Sequence, residues 1–170
     1  MDISEASELI RINKILESHV QTWCDLGCGT GTFTLALATM LPAGSTIYAI
    51  DKDEKSLAQI PDRYQDVTIR KEVADLGKID FSLPPLDGVL IANLLHFIKR
   101  QGAFVERCRA LSQRLLIVEY DYRSPSKWIP YPLGFSALKN LLLERGFKAI
   151  SRIGTRPSIY EGELYSVYAE

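Results

Sequence analysis

The feature that most constrains this chain is a glycine-rich segment directly after a short apolar run. Residues 23–38 read Trp-Cys-Asp-Leu-Gly-Cys-Gly-Thr-Gly-Thr-Phe-Thr-Leu-Ala-Leu-Ala. Gly27, Gly29 and Gly31 remove side chains where a backbone must turn sharply and a ligand must come close. After Thr32 the apolar residues recur at helical spacing, so the turn lies at a helix N-terminus, which favours a ligand there. The segment predicts a strand, a ligand-binding turn and a helix.

Strands and helices alternate along the rest of the chain. Strands are predicted at 20–26, 46–51, 67–73, 88–94, 115–120, 147–153 and 163–169, and helices at 5–18, 33–41, 54–60, 101–112 and 135–145. Segments 76–85 and 123–134 contain glycine and several prolines and are predicted as loops. This order predicts an α/β fold with a doubly wound, mostly parallel sheet and helices on both faces. Ligands of such sheets bind beyond the carboxyl ends of the strands.

Length, charge and hydropathy favour a single-domain protein without a nucleic-acid or membrane partner. A chain of 170 residues predicts a single domain, 1–170, in which the helix within 1–19 covers the site. The net charge of −1 argues against a nucleic-acid partner held by bulk electrostatics. The chain has no apolar run near the roughly 20 residues that span a bilayer, and residues 1–20 lack the apolar centre of a signal peptide. We therefore expect a cytoplasmic protein with no membrane partner.

The three cysteines do not form a metal-binding pattern. Cys24 and Cys28 have no neighbouring histidine or cysteine that would complete a zinc set, and Cys108 lies far along the chain. We predict no metal, and an odd cysteine count without a disulfide framework suits a reducing compartment.

Two nucleotide interpretations compete for the glycine turn. A dinucleotide fingerprint requires a third small residue where this chain has Thr32, so that match fails. The glycines instead follow the spacing Gly-x-Gly-x-Gly and are preceded by Asp25. A carboxylate there suits a ligand with an ammonium or hydroxyl group better than one with a pyrophosphate.

Residues 25–31, Asp-Leu-Gly-Cys-Gly-Thr-Gly, closely resemble the first motif of the class I S-adenosylmethionine-dependent methyltransferases. The chain is similar to the small, single-domain type of ubiquinone and menaquinone biosynthesis. The order of elements also resembles that family's Rossmann-like, seven-stranded sheet with a reversed last strand. The resemblance implies S-adenosylmethionine as cofactor, S-adenosylhomocysteine as product, and in-line transfer of a methyl group to a small-molecule acceptor.

The resemblance also implies cofactor-binding roles for particular residues. Asp25 and the turn formed by Gly27, Cys28, Gly29 and Gly31 would hold the methionine part. Alternatively, Cys28 has no cofactor contact, and its small side chain only fills space in the turn.

The ribose and adenine would contact the ends of the next strands. Asp51 would accept from both ribose hydroxyls, and Asp75 and Leu76 would meet the adenine. Lys52 stands where the family usually has an apolar residue, and its aliphatic stem could cover the ring. Asn93 would stand at the methionine end. Alternatively, Asp51 caps a helix, Asp75 opens a loop, and Asn93 is a buried amide at a strand end.

Candidate catalytic residues follow the fourth and fifth predicted strands. His96 is a potential base that titrates near neutrality, and Tyr120 and Asp121 lie at the same sheet edge. Residues on nearby loops could line a pocket for an aromatic or anionic acceptor, or could be loop-packing aromatics and solvated cations: Trp128, Tyr131, Tyr160, Arg123 and Arg156.

Three functions remain open from the sequence. The leading hypothesis is a methyltransferase that acts on a small molecule. A catalytically inactive, cofactor-binding regulatory or partner protein is the second, and an NAD-dependent oxidoreductase is the third. A homodimer is possible, since a partner subunit could cover the acceptor site.

Overall fold

A computed structural model describes residues 1–13, 19–77, 83–122, 124–158 and 162–170. Within these ranges the helices are α1 (Ile3–Leu9), α2 (Thr32–Ala38), α3 (Glu54–Leu57), α4 (Gln101–Leu111) and α5 (Phe135–Glu144). The strands are β1 (Thr22–Leu26), β2 (Thr46–Asp51), β3 (Arg63–Tyr64), β4 (Val67–Val73), β5 (Gly88–Ala92), β6 (Leu115–Tyr120), β7 (Ile150–Pro157) and β8 (Glu163–Ala169). A 3-10 turn spans Leu95–Phe97.

The strands form one mixed sheet in the order β3-β4-β2-β1-β5-β6-β8-β7. The five central strands, from β4 to β6, are parallel, whereas β8 runs antiparallel to both β6 and β7. The chain moves outward from β1 to β2 and β4 and then returns to β5, so the strand order reverses between β1 and β5. This reversal is the switch point where ligands bind in doubly wound sheets. The predicted doubly wound fold with a reversed last strand is confirmed.

The described sheet has eight strands rather than the seven expected, because β3 adds a short antiparallel pair. Tyr64 pairs with Val67 across a two-residue turn, in which Gln65 has a positive φ of 50°. Such a turn is normally recognised in a sequence by Asn-Gly or Asp-Gly. Here the turn residues are Gln-Asp, so the sequence did not predict β3.

Apolar strands at the centre of the sheet separate two layers of core. Every residue of β5 is buried, as the apolar run at 88–94 predicts. Trp23 on β1 is fully buried, and a Cβ at Gly88 would lie only 2.3 Å from its ring. Helices α1 and α2 pack on the same side of the sheet as Trp23, whereas α4 and α5 contribute to the opposite core cluster.

The first helix differs from its prediction at 5–18. It begins earlier, at Ile3, where Asp2 and Glu5 form a capping box, and it ends at Leu9. Just at that end, the carbonyl of Leu9 accepts a hydrogen bond from Ser166 Oγ on β8. The apolar positions predicted at Ile15 and Leu16 lie outside the described residues.

Most other boundaries agree with the predictions within a few residues. The strands at 46–51, 67–73, 115–120 and 163–169 match their predicted bounds, while β7 begins three residues later than expected and extends to Pro157. Over the ranges that the structure covers, no helix is long and apolar enough to cross a membrane.

Candidate active site

The glycine turn connects β1 to α2 through residues with left-handed backbone conformation. Gly27, Gly29 and Gly31 have φ values of 74°, 53° and 87°. A Cβ at Gly27 would lie 2.9 Å from the side chain of Leu94, and one at Gly31 would lie 2.7 Å from that of Ile60. The turn is therefore restricted to glycine at both positions by backbone conformation and by space.

Two buried oxygens in this turn region lack hydrogen-bond partners among the described residues. Asp25 is fully buried, and Thr34 Oγ1 donates to its Oδ2 at 2.6 Å, but its Oδ1 is unpaired. Burial raises the pKa of Asp25 to about 7. Asn93, with a positive φ of 53°, likewise has an unpaired buried Oδ1. Such oxygens are rare in native structures, and both can accept a hydrogen bond from a ligand or from water.

Both side chains line a cavity of about 350 Å³ beside the glycine turn. The wall includes the backbone of Gly29 and the side chain of Cys28, and Met1 reaches the same cavity from the N-terminal side of α1. Burial also raises the pKa of Cys28 well above its usual range. That thiol is therefore neutral at physiological pH, as a turn-filling role requires.

Asp51 ends β2 and faces a second cavity of about 450 Å³. The N–H of Gly29 donates to its Oδ2 at 2.8 Å, and the N–H of Asp53 donates to its Oδ1 at 2.9 Å. Each carboxylate oxygen keeps a free lone pair, so Asp51 can accept from two adjacent hydroxyls. Asp53, not Asp51, caps α3 through the N–H of Lys55, which removes the helix-cap alternative for Asp51.

The far wall of the second cavity combines Asp75 with apolar side chains. Asp75 Oδ1 accepts from the N–H of Gly77 at 3.0 Å, a contact that also fits the loop-opening alternative. Leu76 is buried, and Lys52 is exposed at the cavity rim. Asp75, Leu76 and Lys52 therefore line the same cavity. Their contacts with an adenine ring stay a prediction. Three more apolar residues complete that wall: Leu94, Phe97 and Ile98.

His96 is held by a buried glutamate that no sequence motif marks. His96 Nδ1 lies 2.8 Å from Glu119 Oε2, and both side chains are at most 4% exposed. The backbone N–H groups of His96 and Tyr120 also donate to Glu119, at 3.3 and 3.2 Å. An ionised carboxylate only accepts hydrogen bonds, so beside an ionised Glu119 the neutral imidazole carries its proton on Nδ1 and has a lone pair on Nε2. The signal for Glu119 is a single glutamate within the apolar run of β6, which must find a partner when buried.

A third cavity of about 640 Å³ lies in front of His96. The residues that line it are Asn93, His96, Phe97, Tyr120, Tyr122, Ser126, Trp128 and Ile129. Asn93 lines all three cavities, so they meet at the end of β5. The end of β5 therefore brings together the two cavities beside the glycine turn, with the unpaired oxygens of Asp25 and Asn93, and the cavity in front of His96.

Some residues predicted for this site lie elsewhere. Asp121 Oδ1 accepts from the N–H of Phe135 at the start of α5, and Asp121 lines a separate cavity with Arg152. Arg156 pairs with Glu5 at 2.8 Å, at the junction of α1 and β7. The geometry therefore does not place Asp121 or Arg156 with His96.

The loop residues predicted for an acceptor pocket divide into two groups. Trp128 lines the cavity at 74% exposure, whereas Tyr131 contributes a backbone N–H that donates to the carbonyl of His96 at 2.9 Å. Arg123 and Tyr160 lie outside the described residues. Across the described part of the chain, no cluster of three histidine, cysteine or acidic side chains could hold a metal ion.

Residues 24–114, more than half of the chain, match the family described as a methyltransferase domain. The chain belongs to this methyltransferase family. The O-methyltransferase cnsE of Penicillium expansum is 26% identical over an alignment 166 residues long, and the match covers 88% of this chain and 59% of that protein. The chain thus spans less than two thirds of the length of this curated relative.

Solved methyltransferase structures share the fold. Magnesium protoporphyrin IX methyltransferase (ChlM) from Synechocystis PCC 6803, solved with bound SAM, aligns with a TM-score of 0.71 and 18% identity. That alignment covers 99% of this chain and 77% of ChlM. An S-adenosylmethionine-dependent methyltransferase from Mesorhizobium loti aligns with a TM-score of 0.70 and 18% identity, over 99% of this chain and 100% of the other.

Proposed function

We propose that this family member is an S-adenosylmethionine-dependent methyltransferase that acts on a small-molecule acceptor and forms S-adenosylhomocysteine. One observation carries the proposal: the unpaired buried oxygens of Asp25 and Asn93 belong to residues that line the cavity beside the glycine turn, and Asn93 also lines the other two cavities. Similar proteins support the same function, since ChlM is solved with SAM and cnsE is called an O-methyltransferase.

The residues present fit this cofactor. The oxygens of Asp25 and Asn93 would accept hydrogen bonds from the ammonium of the methionine part, and Asp51 would accept from the ribose hydroxyls. Leu76 and the stem of Lys52 would cover the adenine beside Asp75. When bound, S-adenosylmethionine supplies a methyl group on a positively charged sulfur, which an acceptor lone pair displaces in line.

His96 and Glu119 would provide a general base on the acceptor side. Glu119 fixes the tautomer that leaves Nε2 with its lone pair, and it stabilises the imidazolium that forms when Nε2 takes a proton. Tyr120 packs edge-on against His96, with ring centroids 5.7 Å apart. We assign His96 as the base, Glu119 as the residue that positions it, and Tyr120 as part of the acceptor wall.

The proposal is tested by label transfer. The protein is incubated with S-adenosylmethionine that carries a deuterated methyl group and with a small-molecule fraction of cell extract, and the products are analysed by mass spectrometry. We expect labelled small molecules, and an about 10²- to 10⁴-fold lower kcat for His96→Gln, the range of a lost general base. His19→Gln is the matched control, because His19 is exposed and lies near Asp87 at the opposite sheet edge.

Two results would count against this function. A folded protein that binds neither S-adenosylmethionine nor S-adenosylhomocysteine would remove the cofactor assignment. Cofactor binding without any labelled product would instead favour the regulatory, non-catalytic alternative.

A further inference from the structure

The acceptor cavity in front of His96 has an aromatic wall. The ring of His96 lies 4.1 Å from that of Phe97 and 5.7 Å from that of Tyr120, and Tyr120 lies 6.0 Å from Tyr122. Trp128 extends the wall from the loop that precedes α5. Phe97 is 54% exposed and Trp128 is 74% exposed. These two rings therefore have free surface that a planar aromatic ligand can cover.

The described lining of this cavity carries no formally charged side chain apart from the titratable His96. Its other polar groups are Asn93, Ser126 and the two tyrosines. Two charged residues that neighbour the lining in sequence are themselves described: Lys127 Nζ lies 5.6 Å from the centre of the Trp128 ring, and Asp121 accepts from the N–H of Phe135. A carboxylate or ammonium acceptor would therefore gain no ion pair with the described lining other than with His96, whereas an uncharged ring would meet apolar and neutral polar groups there.

We propose that the acceptor is an uncharged aromatic compound that bears a phenolic hydroxyl, and that the product is its methyl ether. This inference rests on the proposed function and adds the substrate class. The volume of about 640 Å³ accommodates a fused aromatic ring system of ordinary small-molecule size. The aromatic wall would hold the ring, and the hydroxyl would lie toward His96 and toward Asn93, the residue that also lines the other two cavities.

The acidity of a phenol suits a histidine base. A phenolic hydroxyl has a pKa of about 10, so its proton is far easier to transfer to an imidazole than that of an aliphatic alcohol. An aliphatic alcohol holds its proton nearly as tightly as water, whose pKa is about 15.7. The hydroxyl proton passes to His96 Nε2, and the oxygen bonds to the methyl carbon. As the carbon–sulfur bond breaks, its electron pair stays on sulfur, which leaves a neutral thioether.

Three probes of similar size separate the alternatives. A naphthol carries the aromatic ring and the acidic hydroxyl, a decahydronaphthol carries the hydroxyl without aromaticity, and naphthoic acid carries the ring with a negative charge. Binding is measured by calorimetry on protein saturated with S-adenosylhomocysteine, and transfer by mass spectrometry with S-adenosylmethionine. We expect the naphthol to bind at least about tenfold tighter than either other probe and to be the one converted to its methyl ether.

A pair of variants tests the wall itself. Trp128→Ala is expected to weaken naphthol binding about tenfold, the size of one lost aromatic contact. Tyr131→Ala is the matched control, because Tyr131 belongs to the same loop but is not among the residues that line the cavity. We expect both variants to bind S-adenosylhomocysteine as the parent does.

The outcomes distinguish this inference from the proposed function. If S-adenosylhomocysteine binds but the naphthol does not, or binds no better than the other two probes, the phenolic assignment is overturned and the methyltransferase assignment stands. Equal losses in Trp128→Ala and Tyr131→Ala would also overturn it. If S-adenosylhomocysteine itself does not bind, the proposed function fails before the acceptor is reached.

Discussion

The two carboxylates that flank the glycine turn have different surroundings at the scale of single residues. Asp25 is fully buried with one oxygen unpaired in the described structure, whereas Asp51 is half-buried and accepts from two backbone N–H groups. Burial raises the pKa of Asp25 to about 7. The two residues therefore respond differently to pH and to substitution.

Cofactor affinity is expected to depend on pH through Asp25. At about pH 6 the ligand-free carboxyl is mostly protonated, because its pKa is about 7, and a bound ammonium favours the ionised form. Binding of S-adenosylhomocysteine should therefore release up to one proton there, and affinity should rise by up to about tenfold per pH unit until about pH 7 and then level off. Calorimetry in buffers of different ionisation enthalpy measures the released proton.

Asp25→Asn is the control for this titration. It should bind more weakly at neutral pH and should show no proton release over the same range. Equal affinity of the parent protein at about pH 6 and pH 8 would show that Asp25 does not face the ammonium.

Substitution of Asp51 should weaken cofactor binding more than substitution of the exposed Asp53. Asp51→Asn removes the charge and one acceptor, and charged hydrogen bonds contribute about 1.5–3 kcal/mol each, so we expect affinity for S-adenosylhomocysteine to fall about ten- to hundredfold. Asp53→Asn changes a carboxylate two residues away, which caps α3 instead of lining the cavity. An equal loss of affinity in both variants, measured by calorimetry, would show that Asp51 acts only on the local backbone.

At the scale of elements, α1 is attached to the rest of the fold by specific contacts. Ser7 Oγ lies 3.1 Å from Thr39 Oγ1 beyond the end of α2, and Arg156 on β7 pairs with Glu5. That ion pair lowers the pKa of Glu5 to about 2, with the Arg156 hydrogen bond as the main cause. These contacts place Met1 at the edge of the cavity beside the glycine turn.

Packing at the end of α1 should contribute measurably to stability. Ile10 is fully buried against the cluster that contains Trp23, so Ile10→Ala is expected to lower the free energy of unfolding by about 2–5 kcal/mol, as for other buried truncations. Urea unfolding followed by fluorescence measures the change. Glu8→Ala, at an exposed position of the same helix, should change it by no more than about 0.5 kcal/mol. A change below about 1 kcal/mol for Ile10→Ala would contradict the packing of α1.

The elements that the sequence predicted poorly are those whose structure depends on distant partners. Strand β7 is an edge strand with mostly exposed or half-buried residues, so it lacks the apolar alternation of a half-buried strand. Its position is set by pairing with β8, including a shift of register between Arg152 and Gly154. By contrast, β2 and β6 are dominated by apolar residues, and local sequence was sufficient for both.

At the scale of the whole molecule, strand order brings distant residues to one edge of the sheet. The glycine turn follows β1, Asp51 ends β2, Asp75 follows β4, and Asn93 follows β5. Their common location was predictable, because parallel strands present their carboxyl ends on one side. The contact of Glu119 with His96 could not be predicted from the sequence, because it joins residues 23 positions apart through the pairing of β5 and β6.

Calorimetric titration of the parent protein with S-adenosylhomocysteine tests most directly whether this fold binds S-adenosylmethionine. We predict one site with a micromolar Kd, about −8 kcal/mol, and no measurable binding of NADH in the parallel titration. A protein that is folded by circular dichroism but gives no heat with S-adenosylhomocysteine, or that binds NADH instead, would contradict the assignment of S-adenosylmethionine as cofactor.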